Sequence, residues 1–349
     1  MTQLHDTDYR GFASDNYAGA HPEVLAAIAE ANGGHQVAYG EDVYTARLQE
    51  VVKEHFGETA EAFPVFNGTG ANVTALTSVL PRWGAVIATA TAHIHTDEGG
   101  APERISGLKL LTVQTADGKL TPELIDEEAW GWGDEHRAQP LAVSITQTTE
   151  LGTLYTAAEI RAIADHVHSK GMVLHLDGAR ISNAAAALGT GFREFTTDAG
   201  VDILSFGGTK NGLLYGEAVV VLNPEASDGL PYLRKLNMQL ASKMRFVSAQ
   251  LIALLSDDLW RRSASHANEM AARLRAALDG VDGLVFTQPT QANAVFAVLP
   301  PGAADRLRQS FRFYDWNPAT REVRWMTAFD TTEADIDAFV AAIRAELTG

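Results

Sequence analysis

Two short apolar runs, each followed directly by polar residues, constrain most strongly what this chain can fold into. Residues 172–176 (Met-Val-Leu-His-Leu) lead into Asp177-Gly-Ala-Arg180, and residues 201–206 (Val-Asp-Ile-Leu-Ser-Phe) lead into Gly-Gly-Thr-Lys210. Apolar runs of this length that end in glycine or a charged residue predict buried strands. Ligands of open parallel sheets bind at the carboxyl ends of the strands. We therefore expect Asp177, Arg180 and Lys210 to meet at one edge of one sheet.

The remaining pattern predicts an α/β fold with two domains. Strands alternate with helices through residue 223, which indicates a mostly parallel sheet covered on both faces. After that point longer helices and short strands predict a small α+β domain. The elements expected there are helices 234–246, 258–279 and 332–347 and strands 284–287, 293–299, 311–314 and 322–327. We predict a large domain with an N-terminal arm over residues 1–245 and a small C-terminal domain over residues 246–349.

Composition excludes several classes of protein. The chain carries 27 Lys and Arg against 44 Asp and Glu, a net charge of −17, which argues against a nucleic-acid partner. It contains no cysteine, so disulfides, thiolate metal sites and a cysteine nucleophile are excluded. No apolar run approaches the roughly 18 residues of a membrane helix, and the first residues do not resemble a signal peptide. We therefore expect a cytoplasmic protein without a membrane partner.

Lys210 and Asp177 together suit one cofactor. Taken singly, a lysine after two glycines is typical of a solvated loop, and an aspartate after a strand is typical of a turn. Pyridoxal 5′-phosphate needs a lysine amine for its Schiff base and an acid that keeps its pyridine nitrogen protonated. The pair therefore predicts a pyridoxal-phosphate site.

Gly68-Thr69-Gly70 forms the turn between a predicted strand and a predicted helix. Free backbone N–H groups and the helix dipole suit an anion there, and Thr69 adds a hydroxyl. The turn lacks the Gly-Lys-Ser/Thr of a P-loop and the third glycine of a dinucleotide fingerprint, which disfavours a nucleotide. We predict that these three residues hold the cofactor phosphate.

These motifs occur in an order that resembles the low-specificity L-threonine aldolases. The matching segments are Ser14-Asp-Asn, Tyr39-Gly-Glu-Asp, Gly68-Thr-Gly, Ala92-His-Ile-His-Thr-Asp-Glu-Gly-Gly, Asp177-Gly-Ala-Arg and Phe206-Gly-Gly-Thr-Lys-Asn-Gly. Those enzymes are pyridoxal-phosphate enzymes of the aspartate aminotransferase fold (fold type I) and belong to the β-eliminating lyase group. The resemblance runs from about Phe12 to the last helix.

The resemblance implies a role for each cofactor-side residue. Lys210 would carry the cofactor, Asp177 would face the pyridine nitrogen, and His93 would stack on the ring with proton transfer as a second role. Glu98 matches an acidic family position close to the substrate. Arg245 would reach the phosphate in the adjacent subunit, and Tyr39 is a candidate for another contact between subunits. The cofactor-binding set is thus Gly68, Thr69, Gly70, His93, Asp177, Arg180, Lys210 and Arg245.

The substrate side follows in the same way. Ser14, Arg180 and Arg324 would bind the substrate carboxylate, with Arg321 and Arg312 as alternatives to Arg324. An arginine inside an alternating apolar strand needs a partner, which favours Arg324.

The loop with His93, His95, Asp97 and Glu98 could also suggest a metal, but nothing supplies the second ligand pair of a structural site, so we expect none. The catalytic base stays open between His93, a water near Glu98, and His136. Asp97 stands where better-known aldolases carry a tyrosine, which leaves the preference for the β-substituent and the threo/erythro selectivity open.

The reaction that the resemblance implies is reversible cleavage of L-threonine, L-allo-threonine or related β-hydroxy-α-amino acids to glycine and an aldehyde such as acetaldehyde. A β-eliminating lyase and a phenylserine-type aldolase would share most of this site. A non-catalytic carrier of the cofactor would not require the substrate-side arginines. Sites shared between subunits imply a homo-oligomer, and a dimer of dimers is usual in the family.

Overall fold

The strands that end in the charged motifs lie side by side in a seven-stranded sheet. The structure is a computed structural model that describes residues 4–348. The strands are numbered in chain order, and their spatial order across the sheet is β1 (Glu61–Val65), β7 (Glu217–Val221), β6 (Ile203–Gly207), β5 (Val173–Gly178), β4 (Gln139–Thr146), β2 (Gly84–Thr89) and β3 (Lys109–Val113). The strands from β6 to β3 are parallel, and β7 is antiparallel to both of its neighbours. The predicted α/β class with a mostly parallel sheet is confirmed.

Helices cover this sheet because their apolar residues repeat at helical spacing. In α6 (Ala157–Ser169), for example, Thr156 and Glu159 form a capping box, and Ile160, Ile163 and Val167 face the core. The other helices up to residue 255 are α1 (Pro22–Glu30), α2 (Val43–Phe56), α3 (Gly68–Val79), α4 (His93–Thr96), α5 (Pro122–Asp126), α7 (Ile181–Leu188), α8 (Leu230–Leu236) and α9 (Arg245–Leu255). None of the helices in the described range combines the length and the apolar character needed to cross a lipid bilayer.

A second sheet forms near the C-terminus, and it is antiparallel throughout. Its spatial order is β10 (Tyr314–Asn317), β11 (Glu322–Met326), β9 (Ala294–Val298) and β8 (Val285–Phe286), accompanied by α10 (Leu259–Ala277), α11 (Ala303–Leu307) and α12 (Glu333–Thr348). The strand predicted at 311–314 therefore begins only at Tyr314. Phe12 of the N-terminal arm is buried in the core of this unit and stacks on Phe339 with ring centroids 4.3 Å apart.

The change from the first core to the second lies within α10. Helix α9 and the first residues of α10, including Trp260, pack with the large sheet, whereas Met270 and Leu274 pack with the second sheet. The division of the chain at 245/246 stays a prediction about folding units. The hydrophobic packing itself changes later along the chain.

The helix predicted over residues 234–246 is wrong. Helix α8 ends at Leu236, Met238 has φ 61°, and α9 begins only at Arg245. Side-chain contacts explain the break. Asn237 donates to the Thr74 hydroxyl at 3.2 Å, and Gln239 accepts a hydrogen bond from the Phe66 backbone N–H at 3.0 Å.

Candidate active site

A cavity of about 350 Å³ opens at the carboxyl edge of the large sheet, where the sequence places its charged motifs. Residues from the ends of β5 and β6 and from the starts of β7, α3 and α4 line it. They include Gly68, Thr69, His93, Asp177, Ser205, Lys210 and Glu217. The structure thus brings five of the predicted cofactor residues to one cavity.

Asp177 lies near the end of β5 and is only 4% exposed. Its Oδ1 accepts a hydrogen bond from the Ala179 N–H at 3.0 Å, and its Oδ2 accepts one from the Asn72 side-chain amide at 2.9 Å. Both bonds stabilise a carboxylate. Asp177 is therefore held as an acceptor in the cavity wall.

Lys210 lies in the 3-10 turn Thr209–Asn211, directly after β6. Burial lowers the pKa of its amine, and the positive charge of Arg180 adds to this, while Asp15, Asp177 and Glu217 oppose it. A close approach sets the turn beside β5, because a Cβ on Gly207 would lie only 2.5 Å from the Ala179 carbonyl oxygen. Glycine at this position therefore keeps the ends of the two strands together.

Glu217 is a buried carboxylate in the cavity wall that the sequence reasoning missed. It accepts a hydrogen bond from the Gly208 N–H, and burial raises its pKa to about 7. Its position on β7, opposite Gly207, gave no signal in the sequence because the motif around it is an ordinary apolar strand.

His93 begins α4, and two acidic side chains position it. Glu98 Oε1 lies 2.8 Å from the imidazole Nδ1, and Glu150 accepts a hydrogen bond from the His93 backbone N–H at 2.9 Å. The hydrogen bond to Glu98 raises the pKa of His93, burial opposes this, and the charge of Asp177 adds to the increase. The ring nitrogen Nε2 is left on the side away from Glu98.

Asn72 joins the two carboxylates of the site and was also missed. Its Nδ2 donates to Glu98 Oε1 at 2.8 Å and to Asp177 Oδ2 at 2.9 Å. Only the amide nitrogen can face two carboxylates, so chemistry fixes the orientation of this side chain. Four groups are therefore connected in one network: His93, Glu98, Asn72 and Asp177.

Arg180 forms an ion pair with Asp15, a partner that the sequence did not predict. Its Nε and Nη2 donate to the two carboxylate oxygens of Asp15 at 2.7 and 2.9 Å. The Asn293 side chain also donates to Asp15, at 3.0 Å. Ser14 accepts a hydrogen bond from the Asn16 N–H and lies in a neighbouring cavity of about 500 Å³. Asp15 therefore already occupies one edge of the Arg180 guanidinium, through two of its three nitrogens, which leaves Nη1 for the predicted contact with a substrate carboxylate.

Arg324 on β11 differs from Arg180 in its contacts. Within residues 4–348 its guanidinium makes no ion pair or hydrogen bond, and its Nε is enclosed. Burial lowers its pKa to about 10, and the nearby Arg180 charge adds to this effect. The side chain therefore remains a cation at neutral pH and is available to an anion.

The predicted phosphate turn forms the start of α3. Gly68 and Thr69 line the cavity, whereas the N–H of Gly70 donates to the Asn67 side chain at 2.8 Å. A Cβ on Gly70 would collide with the Gln239 side chain. Gly68 and Thr69 thus lie in the cavity wall, and the absence of a side chain at Gly70 makes room for Gln239.

The remaining predicted residues lie outside the cavity wall. Arg245 begins α9 and donates to the Gly34 carbonyl oxygen at 3.3 Å, and Tyr39 is exposed with φ 62°. His136 lies in an exposed turn. Of the alternatives to Arg324, Arg312 donates to the Tyr17 hydroxyl at 3.2 Å, and Arg321 is exposed.

Comparisons with known proteins agree with this geometry. A family model described as beta-eliminating lyase matches residues 11–300. The low-specificity L-threonine aldolase of a Pseudomonas species is 44% identical over 97% of this chain and 98% of its own length. The chain belongs to the low-specificity L-threonine aldolase family. The corresponding protein of Pseudomonas aeruginosa is 45% identical over 92% of this chain and 93% of its own.

Solved structures agree with the family. The threonine aldolase of Leishmania major superposes with a TM-score of 0.91 at 30% identity and covers 96% of this chain and 99% of its own. A putative L-allo-threonine aldolase from Listeria monocytogenes has a TM-score of 0.72 at 17% identity, over 94% of this chain and 95% of its own, and supports the fold alone. The predicted resemblance and the fold type I architecture are both confirmed.

The cofactor of this family is pyridoxal 5′-phosphate, and the residues of the cavity fit it. One wall offers a lysine amine with a lowered pKa and a buried carboxylate, Lys210 and Asp177. The N-terminal turn of α3 offers Gly68 and Thr69 to an anion. An imidazole, His93, supplies a flat ring in the same cavity. In the described part of the chain, no three His, Asp or Glu side chains are arranged to hold a metal ion.

Proposed function

We propose that this protein is a pyridoxal-phosphate-dependent aldolase that reversibly cleaves L-threonine, L-allo-threonine and related β-hydroxy-α-amino acids to glycine and an aldehyde. The observation that carries the proposal is the single cavity that combines Lys210, Asp177 and His93. The full-length similarity to low-specificity L-threonine aldolases supports this choice of reaction.

On the cofactor side, Lys210 and Asp177 have two different roles. The bound cofactor supplies an electron sink for the charge left on Cα when the Cα–Cβ bond breaks. The lowered pKa of Lys210 increases the neutral, nucleophilic amine that forms the covalent link. The Asp177 carboxylate, fixed by Asn72 and Ala179, would face the pyridine nitrogen of the bound cofactor and keep it protonated. Gly68 and Thr69 would hold the phosphate.

On the substrate side, Arg324 would bind the α-carboxylate, because within residues 4–348 its guanidinium is not engaged in an ion pair or hydrogen bond. Ser14 and the nitrogen of Arg180 that Asp15 does not use assist it. Fixing the carboxylate orients the bond that breaks.

His93 is the first choice for the group that moves the β-hydroxyl proton. Its Nδ1 faces Glu98, so Nε2 is the nitrogen that exchanges the proton. Because the neutral imidazole is the form that accepts a proton, cleavage should increase with pH through the raised pKa of His93. A water held near Glu98 is an alternative base. His136, in its exposed turn, would need a neighbouring subunit to bring it close.

The proposal includes a cytoplasmic homo-oligomer, a dimer of dimers, with sites shared between subunits. Phe66 and Tyr215, which line the cavity, are exposed and stack on each other with ring centroids 6.1 Å apart. Leu214 and Met238 are exposed as well. A partner subunit that covers this face would bring its Arg245 to the phosphate.

Subunit mixing tests the shared site. Lys210→Ala and Arg245→Ala variants should each be inactive or impaired alone, and co-refolding should restore about a quarter of the sites if Arg245 acts between subunits. Mixtures that gain no activity would contradict the shared site. Sedimentation measures the assembly itself.

One spectroscopic experiment tests the function. The purified protein with pyridoxal phosphate should show the visible band of a lysine-bound cofactor, which Lys210→Ala abolishes. The band should change with L-threonine and glycine, and acetaldehyde should appear with L-threonine but not D-threonine. Pyruvate and ammonia as products would instead identify a β-eliminating lyase. A band that amino acids do not change would identify a carrier.

A further inference from the structure

Arg324 is held by an aromatic ring where a buried arginine is usually held by a carboxylate. Its guanidinium carbon lies 4.9 Å from the centroid of the Trp316 ring. Within residues 4–348 the side chain makes no ion pair or hydrogen bond, whereas Arg180 donates from two nitrogens to Asp15. The two neighbouring arginines are therefore positioned by different means.

Trp316 lies at a break in the pairing of β10 with β11. Asp315 pairs with Val323 and Asn317 pairs with Glu322, so Trp316 is the extra residue of a β-bulge between β10 and β11. Bulges re-aim side chains and occur next to functional sites. The direct ladder partner of Arg324 is Tyr314, and the Trp316 ring, two residues further along β10, lies beside the same guanidinium.

The core behind Trp316 fixes its ring. Trp316 packs edge-on against Phe296, with centroids 5.4 Å apart and an interplanar angle of 80°. Phe296 is 1% exposed and pairs with Arg324 in the β-ladder. Gly152 lies against the Phe296 ring, where a Cβ would be 3.1 Å away. The ring below the guanidinium therefore has little freedom to move.

An aromatic face and a carboxylate affect an arginine differently. A carboxylate neutralises the charge and uses N–H donors, whereas a ring face attracts the cation and leaves all five N–H groups for another acceptor. The binding advantage of such a contact corresponds to roughly 2–30-fold in affinity.

We propose that Trp316 is a positioning residue that holds the Arg324 guanidinium oriented and unpaired for the α-carboxylate of the amino acid. This inference rests on the proposed function, because it concerns the substrate site of the same reaction. Trp316 acts through Arg324, so its loss should weaken the binding of carboxylate-bearing ligands selectively.

The test compares Trp316→Leu and Trp316→Phe with the wild type. Trp83→Leu is the matched control, because Trp83 is 68% exposed and lies on the surface. Binding of glycine and of L-threoninol, which lacks the carboxylate, is followed through the absorbance of the bound cofactor. The KM and kcat for L-threonine are measured in parallel.

We expect Trp316→Leu to raise the glycine dissociation constant and the KM for L-threonine by about tenfold while kcat changes less than about threefold. Trp316→Phe should fall between it and the wild type, and Trp83→Leu should match the wild type. L-Threoninol binding should not change. In an Arg324→Met background, Trp316→Leu should have no further effect on glycine binding.

Equal weakening of glycine and L-threoninol binding, or an unchanged glycine affinity in Trp316→Leu, would overturn the proposal. So would a full Trp316→Leu effect in the Arg324→Met background. Glycine binding does not depend on cleavage, so the two proposals can fail separately. A wild type that binds glycine but releases no aldehyde would refute the aldolase reaction, while a selective loss of glycine affinity in Trp316→Leu would still support the role of Trp316.

Discussion

Replacing Asp15 tests whether the N-terminal arm is held by a buried ion pair. The Asp15 carboxylate is fully enclosed and accepts hydrogen bonds from Arg180 Nε at 2.7 Å, Arg180 Nη2 at 2.9 Å and Asn293 Nδ2 at 3.0 Å. Burial alone would raise the pKa of Asp15, but the charge and the hydrogen bonds of Arg180 together lower it below 3.8. The pair is therefore ionised over the whole neutral range.

The loss of unfolding free energy in each variant follows from the charge that the substitution leaves buried and unpaired. Asp15→Ala leaves the Arg180 guanidinium buried without its anion, and Arg180→Met leaves the Asp15 carboxylate without its cation. Breaking a buried pair from one side costs about 3–5 kcal/mol. The double variant removes both charges, so it should lose about as much free energy of unfolding as one single variant. The coupling energy should therefore be at least about 2 kcal/mol.

Equilibrium urea unfolding of the four proteins, at one protein concentration, measures this coupling. The exposed pair Arg273–Asp337 is the control cycle and should show no measurable coupling. A carboxyl group whose pKa is lower in the folded state than in the unfolded state stabilises the fold fully above its unfolded pKa, and it loses this contribution progressively as the pH falls. The Asp15→Ala effect should therefore be constant at neutral pH and shrink below about pH 4. Additive single effects at neutral pH, within about 0.5 kcal/mol, would refute the buried pair.

Three further predictions concern buried groups around the site. Burial lowers the pKa of His175 from 6.5 to about 4, so the unfolded chain binds this proton first, and the contribution of His175 to the free energy of unfolding should fall by roughly 3 kcal/mol from pH 6.5 to pH 4. The raised pKa of Glu150 and of Glu217 acts in the opposite direction, so the contribution is measured as the difference between wild type and His175→Asn in urea unfolding at each pH. Burial raises the pKa of Glu150 to about 7, so the folded state binds the proton more tightly, and the contribution of Glu150 to stability should fall as pH rises from 4.5 to 7. The difference in unfolding free energy between wild type and Glu150→Gln should therefore change with pH in this direction, and a constant difference would contradict the prediction. Gly207→Ala should abolish cofactor binding, measured by absorbance, because its Cβ would meet the Ala179 backbone, whereas Gly33→Ala, with open space around it, should bind normally.

Local sequence patterns were enough for the large sheet and for the residues at the ends of its strands. The apolar runs before Asp177 and Lys210 became neighbouring strands, with Asp177 paired to Ser205, because parallel strands bring their carboxyl ends to one edge. The turn at Gly68 reached the same edge. The roles given to these residues stay predictions, but their meeting in one cavity is a property of the fold.

The partners of those residues could not be predicted in the same way. Asp15 meets Arg180 across 165 residues, and Asn72 meets Asp177 across 105. Neither contact leaves a periodic trace, because each depends on how α3 and the N-terminal arm pack on the finished sheet. The helix predicted over 234–246 failed for a related reason, since contacts of Gln239 with the distant Phe66 override its local helical preference.

The N-terminal arm limits how far the two cores can separate. The Phe12 backbone bonds to Arg312 and Met326 of the small unit at 2.8 Å each, and its ring fills that core. Only three residues later, Asp15 forms an ion pair with Arg180, which follows β5 of the large sheet. Three residues span at most about 11 Å. The arm is thus a short connection between the two sheets. Any motion that separated the sheets widely would first have to break the Asp15–Arg180 ion pair or remove the Phe12 ring from its core.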